Sequence, residues 1–315
     1  MPFFIPEYDS LRIHDMMLSD TVRTAAYQRA VEASVKPGDI VLDIGTGTGI
    51  LALFAARAGA GRVYAVEPSD IIDVAKRIAQ RNGLASRIEF IQARVEEVDL
   101  PEKADCIVSE WLGVFALQEN MLPSIASAID RLLKPGGKIL PETVRLFLSL
   151  IEDEELHDRK IGRWKERPYG LDYSDFADCQ ANDVHAIAIG PETLLSDAVE
   201  VARLDTRRAR DSRLDLRTVL TAAREGVCHG LAGWFRAEFP GGIALDTAPR
   251  QPLTHWNQAF FPMLEPMPLG LDEEVAVSLA TQPEDTVVHF AWEITATSGG
   301  QPSFAGHTRR IPMGG

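Results

Sequence analysis

Cysteine is nearly absent: three residues in 315, at Cys106, Cys179 and Cys228. An odd, widely spaced set offers neither a disulfide framework nor a metal-ligand spacing, which fits a reducing compartment and leads us to expect a cytoplasmic protein with no metal. Positive charge is also short, with 32 Lys and Arg against 46 Asp and Glu, a net charge of −14. A general binder of nucleic acid needs the opposite balance, so no nucleic-acid partner is expected, and the field favours cationic substrates. Long apolar runs are missing too. No stretch is long enough to span a bilayer, and MPFFIPEYDS lacks a basic segment followed by an apolar one, so neither a membrane partner nor a signal peptide is read. There is no internal repeat and no low-complexity tract.

What is present suits a soluble globular protein of two packed units: 45% hydrophobic and 25% charged residues, ample for a sizeable core. After an irregular start with Pro2 and Pro6, Asp20 is placed to cap a helix running to about Ser34, which Lys36-Pro37-Gly38 ends. DIVLDIGTGTGILALFAARAGA then reads as an apolar strand, a Gly-rich turn and a helix closed by Gly59 and Gly61. Glycine at 45, 47 and 49 lets backbone approach a ligand at the N-terminus of that helix. The next strand ends in Glu67, 24 residues after Asp43, the distance at which an acid reaches ribose hydroxyls in a nucleotide-binding fold.

Strand and helix continue to alternate: helix over 70–82, strands RIEFIQA and ADCIVSE, helix over 119–133, then KPGG turning into strand KILP. The alternation predicts an α/β, Rossmann-like parallel sheet over residues 1–141. Beyond Pro141 the texture changes. Residues 153 to about 195 read as helical, aromatic and irregular, and short alternating runs such as VCHGLAGWFRAEF and DTVVHFAWEITAT predict an antiparallel β-barrel-like or sandwich domain over 142–315.

SEWLGVFALQENM, residues 109–121, carries two carboxylates nine positions apart, Glu110 and Glu119. Buried carboxylates require a partner, and a planar guanidinium between them fits the geometry of its N–H fork. Taken alone, the stretch reads more readily as a helix-capping Glu119 and a surface Glu110. Glu110 lies at the carboxyl end of the fourth strand, where ligands bind in such sheets, and that makes it a site candidate.

The acid two residues before the first glycine of DIGTGTG is similar to the S-adenosylmethionine motif of class I methyltransferases. RIHDMMLSDTVRTAAY, VLDIGTGTGILALFAARAGA, RVEEVDLP, SEWLGVFALQENM and THW (254–256) together, in this order, resemble the protein arginine methyltransferases. The resemblance implies S-adenosyl-L-methionine as cofactor and transfer of its methyl group to a guanidino nitrogen of arginine, free or in a protein; another small amine or guanidine is the alternative acceptor. His14 and Arg23 would flank the cofactor carboxylate, Gly45 and Gly47 would pass beneath its methionine portion, and Asp43 would form the cofactor crevice with Gly45 and Glu67. Glu67 would hold the ribose and Glu96 would lie by the adenine. Glu110 and Glu119 would clamp the guanidinium, His255 would pair with Asp20, Trp256 would wall the pocket, and Met17 and Met121 would line the tunnel. DRKIGRWKERPYGLDYSDF (158–176) is similar to the family's dimerisation arm, within the helical stretch 153–195, which implies a homodimer. Trp164, Tyr169 and Phe176 would otherwise be exposed apolar surface. This chain departs from the pattern at Val114 and Gln118, where the family often has aromatics, in keeping Tyr8 as the only tyrosine before IHDMML, and in having no recruitment domain.

Overall fold

Asp20 turns the chain between its first two helices. Its backbone N–H donates to Met16 O and ends α1 (Leu11–Ser19), while its side chain accepts from Arg23 N at 2.9 Å and starts α2 (Thr21–Ser34). The computed structural model describes residues 10–297 and 304–308; Pro2, Pro6 and Tyr8 lie outside the described residues.

The parallel sheet follows: β1 (Ile40–Ile44), β2 (Arg62–Val66), β3 (Ile88–Ile91), β4 (Ala104–Ser109) and β5 (Leu133–Leu140), in spatial order β3-β2-β1-β4-β5. Every pairing is parallel. Helices α3 (Ile50–Arg57), α4 (Ile72–Arg81) and α5 (Leu122–Leu132) are the crossovers. The strand order reverses between β1 and β4, so the loops after these two strands open on one crevice. Ser109 Oγ seals its floor by donating to Ile44 O across the pair, at 2.8 Å.

Two boundaries differ from the sequence expectation. The fifth helix begins at Leu122, with Pro123 in its first turn, so Glu119 lies in the preceding turn rather than opening the helix. Strand β5 starts at Leu133 and takes in KPGG, with a register shift against β4 between Ala104 and Cys106 and Gly136 at φ 76°.

The second half builds two antiparallel sheets. One orders β7 (His185–Ile187), β12 (Gln258–Leu269), β10 (Gly226–Glu238), β6 (Thr143–Ile151) and β8 (Val199–Asp205), with β11 (Ala244–Asp246) on β10. The other orders β15 (Phe304–His307), β14 (Val287–Ala296), β13 (Glu274–Glu284) and β9 (Asp215–Thr221). Phe261 of β12 packs edge-on against Phe290 and Trp292 of β14, and Trp292 Nε1 donates to Pro262 O at 3.1 Å, so the sheets lie face to face. Among the described residues no continuous ladder closes them into a barrel.

Between β6 and β7 the chain makes a helical excursion: α6 (Glu154–His157), a π turn at Asp158–Gly162, α7 (Arg163–Lys165) and α8 (Ser174–Ala181). The α-helical part ends at Ala181; His185–Ile187 pairs with β12, and a single 3-10 turn, Pro191–Thr193, follows it. Trp164 is held edge-on to Phe176 at 4.6 Å, whereas Tyr169 stands 94% exposed.

Candidate active site

The glycine turn is held from below. Asp43 is fully buried at the end of β1, and its Oδ2 accepts from Thr46 Oγ1 at 2.5 Å and from Ala52 N at 3.0 Å. Asp43 thus ties the turn to the first turn of α3 and has no surface facing the crevice. Gly45 has φ 70°, and a side chain there would meet nothing within 4 Å, so the turn presents bare backbone to open space. Gly47 has φ 54° and lies directly under His14, whose ring would be 3.1 Å from an added Cβ. The first helix accordingly covers the turn, with His14 buried and Met17 half-buried on it.

Burial pushes the Asp43 carboxyl up to about 7; Glu67's charge adds to this, against the hydrogen bonds from Thr46 and Ala52. The folded pKa lies above the unfolded value of about 3.9, so the native state binds the extra proton between the two. Stability from this group is therefore present at low pH and lost as pH rises from about 4 to about 7. Asp43→Asn, whose amide oxygen still takes both donors, should give a flatter melting-temperature profile over that window. An unchanged slope in scanning calorimetry would count against it.

Glu67 is pre-oriented. Its Oε2 accepts from Gly47 N at 2.9 Å, and its Oε1 from Ser69 N at 3.1 Å and Ser69 Oγ at 2.8 Å. A carboxylate has about four acceptor positions, so one remains open. Glu96 sits at the exposed rim in the turn after β3, where Ser124 Oγ of α5 donates to it at 2.5 Å.

SEWLGVFALQENM folds as a buried hairpin. Gly113 and Ala116 exchange backbone hydrogen bonds of 3.1 and 2.9 Å, and Glu110 and Glu119 each lie three residues outside that pair, on opposite arms. Phe115, Ala116 and Asn120 take positive φ of 51°, 63° and 49° to make the turn. Phe115 anchors it edge-on against Phe261 of the second half, with centroids 5.4 Å apart. Glu110 Oε1 accepts from Leu112 N at 3.0 Å, and its Oε2 lies 3.6 Å from Arg23 Nη1.

Arg23 is 5% exposed, and its Nε and Nη1 have no hydrogen-bond partner among the described residues. Buried donors left unpaired are costly unless a ligand takes them. A carboxylate arriving over the glycine turn fits them. Tyr27, one turn further along α2, donates to Ser109 O at 3.2 Å. Burial pushes its phenol well above the ordinary value; the charges of Glu110, Asp43 and Glu119 add to this and Arg23 opposes it.

The third wall comes from THW. Asp20 Oδ2 accepts from both His255 N and His255 Nδ1 at 2.8 Å. Burial raises the Asp20 carboxyl, but these bonds and the one from Arg23 N outweigh it, and the pKa is lowered. Trp256 is buried, its ring tilted against that of His255 with centroids 4.0 Å apart, and its Nε1 donates to Leu112 O of the hairpin. Met121 is half-buried at the start of α5.

The structure thus gathers Asp20, Arg23, Glu110, His255 and Trp256 into one contact network, with Glu119 on the facing arm. It gathers His14, Gly45, Gly47 and Glu67 into the adjoining crevice. Sequence reasoning missed Ser69, which orients Glu67, and Tyr27 on the buried face of α2. A hydroxyl's role on such a face leaves no mark in periodicity.

A parallel sheet opening at its switch point beside a glycine turn defines a nucleotide-type binding crevice, and residues 41–137 match the family model described as a methyltransferase domain. Residues 142–295 match the arginine methyltransferase oligomerization subdomain, and a protein arginine N-methyltransferase 1 of Chlamydomonas reinhardtii is 35% identical over 94% of this chain and 90% of its own length. The chain belongs to the protein arginine N-methyltransferase family. Protein arginine N-methyltransferase 6 of Xenopus laevis is 36% identical over 88% of this chain and 86% of its own. Among solved structures, the PRMT1 enzyme–prozyme heterotetrameric complex with AdoHcy from Trypanosoma brucei superposes with a TM-score of 0.89 at 27% identity, over 96% of this chain and 99% of that one. Arabidopsis thaliana protein arginine methyltransferase 10 gives 0.82 at 31%, covering 95% and 98%. The reaction is S-adenosylmethionine-dependent N-methylation of arginine.

Proposed function

We propose that the acceptor is arginine within a protein or peptide, and that Glu110 and Glu119 bind its guanidinium. The observation that supports this is the hairpin, which sets Glu110 3.6 Å from Arg23 and carries Glu119 on its other arm. Glu110, Glu119 and Asp20 against Arg23 leave an excess of negative charge in a largely buried site, which a cationic acceptor neutralises. S-adenosyl-L-methionine, when bound, supplies a methyl group on a sulfonium, an electrophile that itself brings positive charge. Arg23 would hold its carboxylate, Gly45 and Gly47 its methionine stretch, Glu67 the ribose and Glu96 the adenine, with His14 and Met17 above.

The remaining work falls to the chain's own side chains. Two carboxylates draw the delocalised charge of the guanidinium toward the nitrogens they touch, leaving the third more nucleophilic. Orientation matters most, since holding the reacting atoms at roughly 3–3.5 Å replaces a bimolecular encounter. Asp20, kept ionised, fixes the proton of His255 on Nδ1 and leaves Nε2 as the acceptor for the proton released. Trp256 and Met121 wall the pocket and exclude water. An open groove of about 330 Å³ runs beside His255, with Asp15, Met16 and Leu253 in its walls; this is room that free arginine does not need. Labelled methyl transfer to free arginine, an arginine-rich peptide and histones, run side by side, tests the reading: transfer to free arginine alone would sink the protein-substrate part.

The unit boundary we place near Pro141, between β5 and β6. A homodimer through the arm is the assembly that best accounts for Tyr169, Leu171 and Phe176, which stand 94%, 58% and 42% exposed. Deleting 158–176 should yield a monomer with weakened S-adenosylhomocysteine binding. Light scattering that finds the intact protein monomeric would end this proposal. The three cysteines are free, which fits a reducing, cytoplasmic location. Among the described residues no helix is long and apolar enough to cross a membrane.

A further inference from the structure

We infer that Asn120 is a positioning residue for the methyl transfer: by tying the hairpin to the turn between β13 and β14, it sets where the Glu119 carboxylate stands. The inference rests on the reading of Glu119 as one half of the guanidinium clamp.

Glu119 itself sits on an arm with little regular structure, since α5 begins only at Leu122. Its two neighbours are both fastened to the far sheet of the second half. Asn120 Nδ2 donates to Asp285 O at 2.7 Å, across 165 residues of chain. Gln118 O accepts from Val288 N at 3.0 Å. The backbone of Glu119 is therefore bracketed on both sides by one element. That element is stiff: β13 and β14 pair without interruption from Val275↔Ala296 to Glu284↔Val287, where Asp285 and Thr286 alone make the turn. Sites carried on rigid ladders are held more closely than sites on free loops.

Asparagine suits the position for two separate reasons. At φ 49° the backbone is in the left-handed region, which Asn tolerates and most residues avoid. Its amide also supplies the donor that a backbone carbonyl requires. Because Oδ1 has no partner among the described residues, the bond to Asp285 O is what holds the side chain. The two roles can be separated. Asn120→Gly keeps the left-handed backbone and removes the tether. Asn120→Asp keeps the backbone preference and the size but replaces the donor with a second acceptor.

A displacement of about 1 Å at a reacting group costs on the order of a hundredfold in rate. Both variants should therefore lose at least about tenfold in kcat, while S-adenosylhomocysteine affinity by calorimetry stays within about twofold. A merely structural role would lower melting temperature and cofactor affinity along with kcat. If Asn120 acts through Glu119, combining Asn120→Gly with Glu119→Gln should cost less than about twofold beyond Glu119→Gln alone, because the tether has nothing left to position. Near wild-type kcat in both single variants, losses that multiply in the double variant, or a parallel fall in cofactor affinity would each overturn the inference. A Glu119→Gln enzyme at wild-type rate would instead remove the clamp reading, and this inference with it.

Discussion

Glu110→Gln and Glu119→Gln should each bind S-adenosylhomocysteine nearly as the wild type does and transfer methyl groups at least a hundredfold more slowly. Glutamine keeps the shape of both arms, and at position 110 it can still accept from Leu112 N, a bond of 3.0 Å in the native hairpin. What disappears is charge. A charge-assisted hydrogen bond lost is worth about 1.5–3 kcal/mol, or roughly tenfold to more than a hundredfold in rate. Weaker polarisation of the guanidinium deepens the defect, since the remaining carboxylate no longer has an opposing partner. Both acids act on one cation, so the double variant should be little worse than either single one. Glu119→Gln turning over an arginine peptide at near wild-type rate would defeat the clamp.

Arg23→Met should have the largest effect on cofactor binding. The guanidinium is buried, lies 3.6 Å from Glu110 Oε2, and has two nitrogens with no hydrogen-bond partner among the described residues. Removing one member of a buried, hydrogen-bonded charge pair costs about 2–5 kcal/mol, roughly thirtyfold or more in Kd. The thermal shift produced by S-adenosylhomocysteine should shrink accordingly, as expected when a native-state ligand binds more weakly. Lysine at 23 should restore little, because a compact ammonium lacks the planar fork that meets a carboxylate through two bonds. Methyl transfer should fall further than binding alone explains, since Glu110 is left without its buried cation. Calorimetry giving Arg23→Met an affinity within about twofold of wild type would remove Arg23 from the cofactor site and leave its pairing with Glu110 as its whole role.

The parallel half was legible because its information is local. Apolar runs, a glycine turn and capping residues recur in chain order, and once the order β3-β2-β1-β4-β5 is implied, the switch point places Gly45, Glu67 and Glu110 around one opening. Asp20 as a helix cap was legible on the same grounds, since its partner Arg23 N is only three residues away. The pairing of Asp20 with His255, 235 residues on, came only through resemblance. The tertiary structure alone decided the rest. Alternation tells which face of a strand is buried but not which strand lies beside it, so two antiparallel sheets in place of one closed barrel could not be read. The hairpin that opposes Glu110 to Glu119 turns on positive φ at Phe115, Ala116 and Asn120, none of them glycine, so no local signal announces it. These backbones are held from outside, by Phe115 against Phe261 and Asn120 against Asp285 O. Whether Glu119 opens a helix or stands on the hairpin arm opposite that of Glu110 was therefore decided by contacts with the second half of the chain, which sequence spacing does not encode.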